Sequence, residues 1–178
     1  NNDLSNLLAS EELKAPVRVR GKVVQNGITR RINVEEARIT GAEFMFTAAL
    51  GLGFDLSVNH TWLDTENKTT GAQLTDRPEN SSNVRIGWEG GDGWSAQLRG
   101  NFVGKQYLLV GYGAAAALTP LPRYALYNFS VGKQLGRNIT LRAGVDNLAD
   151  TNLLDKSELF TFAERSRYVF MSFESRFN

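Results

Sequence analysis

Residues 54–62 read FDLSVNHTW. Phe54, Leu56, Val58 and Trp62 fall on one side of an extended chain, with His60 between the last two. Asp55, Ser57, Asn59 and Thr61 fall on the other. Successive side chains of a strand point to opposite faces, so this is a strand with one apolar and one polar face. The same period runs outward in both directions. Upstream, within 41–50, Phe44, Phe46 and Leu50 oppose Glu43 and Thr47. Downstream, Val84, Ile86 and Trp88 oppose Arg85 and Glu89, and Trp94, Leu98 and Phe102 oppose Gln97, Arg99 and Asn101. Stretches 124–134, 139–147 and 168–177 alternate likewise: Tyr127 and Phe129 against Asn128 and Ser130, Leu141 and Val145 against Arg142 and Asp146, Val169, Met171, Phe173 and Phe177 against Glu174 and Arg176. An eighth strand is expected over 16–25, ahead of an Asn26-Gly27 hairpin signal. The only helical possibility is a short one at 4–13.

The connections alternate in length. Gly51-Leu52-Gly53, 90–93 (GGDG) and 135–138 (LGRN) are tight, whereas 64–82, 106–123 and 148–167 are long. Strands joined in this way form an up-and-down antiparallel meander with two unlike ends, the layout of transmembrane β-barrels. Two features favour lipid as the solvent of the apolar face. Arg85, Arg99 and Arg142 stand in mid-strand on the polar face, which suits a wet lumen better than a dry core. Trp88 and Trp94 flank the GGDG turn and Trp62 sits at the far end of its strand, the arrangement of an aromatic girdle. Strands of about ten residues span a bilayer when tilted. A soluble meander barrel or sandwich would show the same period. It is distinguished by burying Trp62, Trp88 and Phe173 in one core. A complete eight-strand membrane barrel is distinguished by pairing 16–25 with 168–177.

The composition excludes several function classes. With no cysteine among 178 residues, there is no disulfide framework, thiolate metal site or cysteine nucleophile, and a single histidine, His60, nearly excludes a Ser-His-Asp machine and any multi-histidine metal site. Twenty basic against 19 acidic residues make no polyanion-binding signature, so no nucleic-acid partner is expected. No catalytic residue is expected. The first 16 residues lack the basic and apolar regions of a signal peptide. The longest charge-free tract, 106–122, is broken by Gly113, Pro120 and Pro122 and is too short for a membrane helix. The mean hydropathy of -0.29 averages a lipid face with a wet one.

Within that tract, Gly111-Tyr112-Gly113-Ala114-Ala115-Ala116 imitates a dinucleotide fingerprint. It lacks the following helix and βαβ unit that the motif requires, and it reads as an apolar loop. On the polar face, Arg85, Arg99 and Arg142 are expected to pair with Glu43, Glu89, Asp146 or Glu174. The run GVDNLAD at 144–150 reads as a corner, where Asn and Asp side chains satisfy turn backbone.

Several of these stretches resemble one family. NVEEARITGAE, with Asn33, Ala37, Gly41 and Glu43, is similar to a strand signature in the C-terminal third of TonB-dependent outer-membrane receptors. TENKTTG at 65–71 followed by Arg77-Pro78 resembles the next extracellular loop and returning strand. Gly144, Asn147, Leu148 and Asp150 match a Gly-Val-x-Asn-Leu-x-Asp motif near the family's end, and the stretch from Ser166 through Tyr168 to Phe177 resembles the final strand. The resemblance covers about residues 33–177 and is nearest to receptors of the ferric-enterobactin, catecholate type. The chain departs from the pattern in ending on Asn178 after the aromatic, and in carrying Glu164-Arg165-Ser166-Arg167 where a glycine is usual.

The resemblance implies an all-β transmembrane barrel of about 22 strands with a plugged lumen, of which 1–178 supplies seven or eight. Residues 1–32 are expected to be loop with a partial strand, and the plug domain lies outside this stretch. The implied function is ferric siderophore uptake in the bacterial outer membrane, energised by TonB through the plug. The implied partners are membrane lipid, the plug and remaining barrel, TonB and the ferric siderophore. No resident cofactor or metal site is implied, because iron enters only inside its siderophore. Lys68 and Arg77 could attract an anionic ferric catecholate from the loops, and Tyr107 and Tyr112 could stack on its rings.

Overall fold

The computed structural model describes residues 36–111, 116–160 and 164–176, together with the backbone of the strands at 2–4, 7–12, 17–19, 22–24 and 29–34. In chain order the strands are β1 (Asn2–Leu4), β2 (Leu7–Glu12), β3 (Val17–Val19), β4 (Lys22–Val24), β5 (Thr29–Val34), β6 (Ala37–Gly51) and β7 (Phe54–Asn67). They continue as β8 (Asn80–Glu89), β9 (Trp94–Val103), β10 (Gln106–Val110), β11 (Ala117–Leu121), β12 (Tyr124–Leu135), β13 (Ile139–Asp146) and β14 (Tyr168–Ser175). All pairings are antiparallel. The main sheet has the order β1-β6-β7-β8-β9-β12-β13-β14. This is the all-β meander that the period of two implies. The chain divides into two compact units. One holds residues 1–41, 63–79 and 106–121, and the other 42–62, 80–105 and 122–178.

In the second unit the register lines up whole rows of like side chains. Leu56, Ile86, Leu98, Phe129, Val145 and Val169 are successive cross-strand neighbours from β7 to β14. One residue along, Asp55, Gly87, Gln97, Ser130, Gly144 and Phe170 form the corresponding row of the other face. A slip of one residue in any pair would move an apolar set onto the polar face, so the alternation itself holds the register.

The apolar face is uncovered. Phe173 is 65% exposed, Met171 83% and Trp62 43%. The buried apolar side chains of this unit are instead Leu153 and Phe160, in the 148–167 connection. The ring of Phe160 meets Tyr124 edge-on at 5.7 Å. A soluble sandwich is therefore excluded: its core residues stand on the outside, as a lipid-facing wall requires. Trp88 is half-buried, packed beside Phe54 on that wall at a centroid distance of 6.2 Å.

In the first unit, three short ladders share one register. Asn2 faces Ile39, Leu7 faces Val34, and Val19 faces Lys22, and in every pair the residue numbers add to 41. These ladders lie on one antiparallel hairpin path. The expected strand over 16–25 is thus two short strands, β3 and β4, paired with each other. Val17 takes Val24, and β14 does not take either. That pairing removes the closed eight-strand alternative. The helix considered at 4–13 is β2, held by β5. The tract 106–123, read as a loop, is the hairpin β10–β11, with Gln106 opposite Leu121 and Val110 opposite Ala117. The 64–82 connection is shorter than expected because β7 runs on to Asn67 and β8 begins at Asn80.

Candidate functional site

Three groups of residues carry the polar chemistry. The first is the polar face of the second unit. Arg85 on β8 bonds the Asp55 carboxylate and lies 3.3 Å from Ser57 Oγ. Gly87 faces Asp55 across the strand pair. A Cβ there would stand 2.2 Å from Asp55 Oδ1 and 2.8 Å from Arg85 Nη1, so the pair in this position occupies the space that glycine leaves. Asn59 donates to Glu43 at 3.2 Å, and Arg176, just past the end of β14, pairs with Glu174 of that strand at 3.0 Å. The expected arginine pairings are corrected accordingly. Arg85 takes Asp55, and Arg99 and Arg142 make no ion pair among the described residues. Arg99 and Arg142 border an open depression of about 320 Å³ with Gln97, Asn128, Ser130, Asp146 and Ser172, and with Phe129 and Phe170. This face is of mixed charge and offers hydrogen-bond donors and acceptors.

The second group lies in the first unit. Lys68, expected as a free cation, lies 3.8 Å from Glu36 Oε2 and also donates its backbone N–H to Glu36. Arg38 and Glu66 pair at 3.6 Å. Arg77 is exposed, and among the described residues its guanidinium reaches only the neighbouring Asp76 carbonyl, at 3.4 Å. Asp76 has a positive φ of 58° and donates its N–H to the carbonyl of Tyr107 at 3.0 Å. That bond ties the residue before Arg77 to the backbone of Tyr107, which is half-buried on β10 opposite Pro120. Of the four residues nominated for a ligand, Arg77 and Tyr107 are linked through this backbone bond alone, and Lys68 pairs with Glu36. Tyr112 lies outside the described residues. Asp76 carried no signal of its own in the sequence.

The third group is the corner after β13. Asn147 is 5% exposed with φ of 49°, a left-handed conformation that Asn tolerates better than most residues. Its N–H donates to Asn128 Oδ1, its Oδ1 accepts from the Thr151 N–H, and its Nδ2 donates to the carbonyls of Thr151 and Arg165, all within 3.0 Å. Leu148 donates to the Tyr127 carbonyl, and Asp150 accepts from the Arg167 N–H at 2.7 Å. Every buried polar side-chain atom among the described residues has a partner. Gly144 lies opposite Phe170, and a Cβ there would stand 2.5 Å from that ring. Of the remaining motif residues, Gly41 lies within β6, Asn33 in β5 faces Leu8, Pro78 is half-buried ahead of β8, and Tyr168 opens β14. Phe177 lies outside the described residues.

These features match a known family over most of the chain. Residues 1–148 match the family described as TonB dependent receptor-like, beta-barrel. The chain belongs to this TonB-dependent receptor family. The ferric enterobactin receptor PirA of Pseudomonas aeruginosa is 27% identical over 93% of this chain and 24% of its own length. The ferrienterobactin receptor of Escherichia coli is 31% identical over 68% of this chain and 17% of its own. Among solved structures, a mutant of the P. aeruginosa ferric enterobactin receptor PfeA superposes with a TM-score of 0.74 at 27% identity, over 98% of this chain and 27% of that one. The chain thus spans about a quarter or less of the relatives it matches, as part of a TonB-dependent receptor barrel in the bacterial outer membrane. The exposed apolar rows are that barrel's lipid face. The Arg85–Asp55 face is its lumen side.

Proposed function

We propose that the receptor containing this chain takes up a ferric siderophore of the catecholate class, powered by TonB through a plug domain. This stretch supplies part of the barrel wall and extracellular loops. Iron travels as cargo inside the siderophore, and the chain itself performs no covalent chemistry. The observation that carries the reading is the match of residues 1–148 to the TonB-dependent receptor family, and the Asp76–Tyr107 backbone bond, which ties the residue before the exposed Arg77 to β10, supports it. A ferric catecholate is an anion wrapped in aromatic rings. A guanidinium attracts its charge and a tyrosine stacks on its faces. The names of the relatives, which are ferric enterobactin receptors, support the same class.

The test is a titration of the intact receptor with ferric catecholates and ferric hydroxamates. Saturable, salt-sensitive binding of the catecholate, weakened by Arg77→Ala and Tyr107→Ala, is expected. Saturable binding of hydroxamates alone would overturn the ligand class.

A further inference from the structure

At the tight-turn end of β12, Lys133 faces Trp94 in the adjacent strand β9. Parity puts both on the apolar face, in a row that continues through Leu141 to Phe173. A lysine on a lipid-facing row needs a reason. Its ammonium donates to the Asp92 carbonyl at 2.7 Å and lies 4.7 Å from the centre of the Trp94 ring.

The turn fixes both partners. Asp92 holds φ of 57° within the one-turn 3-10 segment Gly91–Gly93. Gly93 is packed so closely on β12 that a Cβ would stand 2.9 Å from the Gln134 carbonyl oxygen. The ammonium is therefore anchored where the apolar band gives way to the turns. An ammonium has three donors, and one of Lys133's is used by Asp92. The carboxylates nearest in the turn and on the facing strands leave it unmatched: Lys133 makes no ion pair among the described residues. Around it, Trp94, Leu135 and Phe173 are 46%, 44% and 65% exposed, a surface for acyl chains rather than water. A tryptophan girdle sits at headgroup level, and a lysine stem lies along apolar surface while its charge reaches the interface.

We propose that Lys133 and Trp94 form a binding site for the phosphodiester of a phospholipid in the leaflet nearest the tight turns. The remaining ammonium donors take the phosphate oxygens. Trp94 packs against the glycerol region, and the apolar row through Leu141 and Phe173 carries the chains. The site favours an anionic headgroup, because a second cation on the lipid would compete with the lysine. It does not depend on the siderophore reading, since none of its residues belongs to the loops.

The intact receptor is reconstituted in bilayers of phosphatidylglycerol and phosphatidylethanolamine, and the lipids it retains are counted by native mass spectrometry. One phosphatidylglycerol is expected to be held in preference. Lys133→Ala should weaken its retention about fivefold, the equivalent of about 1 kcal/mol for one interfacial lysine. Lys133→Arg should retain it, and Lys156→Ala, in the 148–167 connection, should leave it unchanged. Equal retention by wild type and Lys133→Ala, or equal loss with Lys156→Ala, would overturn the site. If Lys133→Ala does not assemble, Lys133→Gln in the same assay decides, with the same two outcomes.

Discussion

Arg85 reaches back across the β7–β8 pair to the carboxylate of Asp55, and the two meet in space left open by Gly87. Arg85 also faces Arg99 on its other side. Like charges directly opposite destabilise a sheet, and the Asp55 carboxylate draws one of the two guanidiniums away. Both partners of the pair are more than a third exposed, so water screens it and its worth is at most about 1 kcal/mol. The arrangement orders the lumen wall more than it stabilises it.

Filling the space should do no more than break the pair. Gly87→Ala meets the carboxylate end of Asp55 and the guanidinium end of Arg85, both partly exposed side chains that can swing aside, whereas Asp55→Asn keeps the shape and removes the charge. Each is expected to cost up to about 1 kcal/mol, and the two together no more than either alone. Urea unfolding in lipid vesicles compares the three variants directly. Additive losses would show that Gly87 acts on something other than the pair.

The corner at Asn147 should be the most sensitive polar position. Asn147→Ala removes an acceptor and two donor bonds inside a buried turn. Leaving those backbone groups unsatisfied costs about 1–3 kcal/mol. Asn147→Asp should be no better, because its carboxylate would face the carbonyls of Thr151 and Arg165. Thermal unfolding on a semi-native gel would rank wild type above both variants.

Gly144 and Phe170 should be coupled. Gly144→Ala drives a methyl into the Phe170 ring and toward the Phe129 carbonyl, 2.7 Å away. Overpacking of this kind costs about 1–3 kcal/mol. In the Phe170→Ala background the ring is gone, and the added cost of Gly144→Ala should shrink. A double-mutant cycle measures the difference, and simple additivity would contradict the contact.

The main sheet was legible in the sequence because one face is wet and the other is not. Phe54–Trp62 alternates cleanly, and its observed strand begins at the same residue. Tyr107–Val110 does not alternate: its run of apolar residues followed by GYGAAA carries no face signal, so the β10–β11 hairpin was hidden. The 16–25 stretch reads as a single strand because Val17, Val19, Val23 and Val24 are strand formers, and as a sequence Arg20-Gly21 is a weaker turn signal than Asn26-Gly27. The Asp55–Arg85 pair was missed because it is diagonal. Asp55 faces Gly87 and Arg85 faces Ser57, a register no single strand reveals. Lys68 and Arg77 looked alike as loop cations. They differ only because Glu36 folds back onto Lys68.

The exposed apolar face makes one demand of the membrane. Leu98→Arg, in the middle of β9 and 40% exposed, should cost about 2–4 kcal/mol in a bilayer. Gln97→Arg, one residue away on the lumen side, should cost little. Comparable costs in lipid-refolding titrations would contradict the assignment of faces.

The central claim is that this sheet separates lipid from water along its whole length. This stretch contributes no cysteine of its own, and single spin labels are placed at each position of β9 in an intact receptor cleared of any other reactive thiol. Their collision rates with oxygen and with a polar nickel complex should alternate with a period of two. Positions 96, 98, 100 and 102 are expected to favour oxygen, and 95, 97, 99 and 101 the nickel complex. A flat profile, or oxygen preference at 97 and 99, would contradict the account.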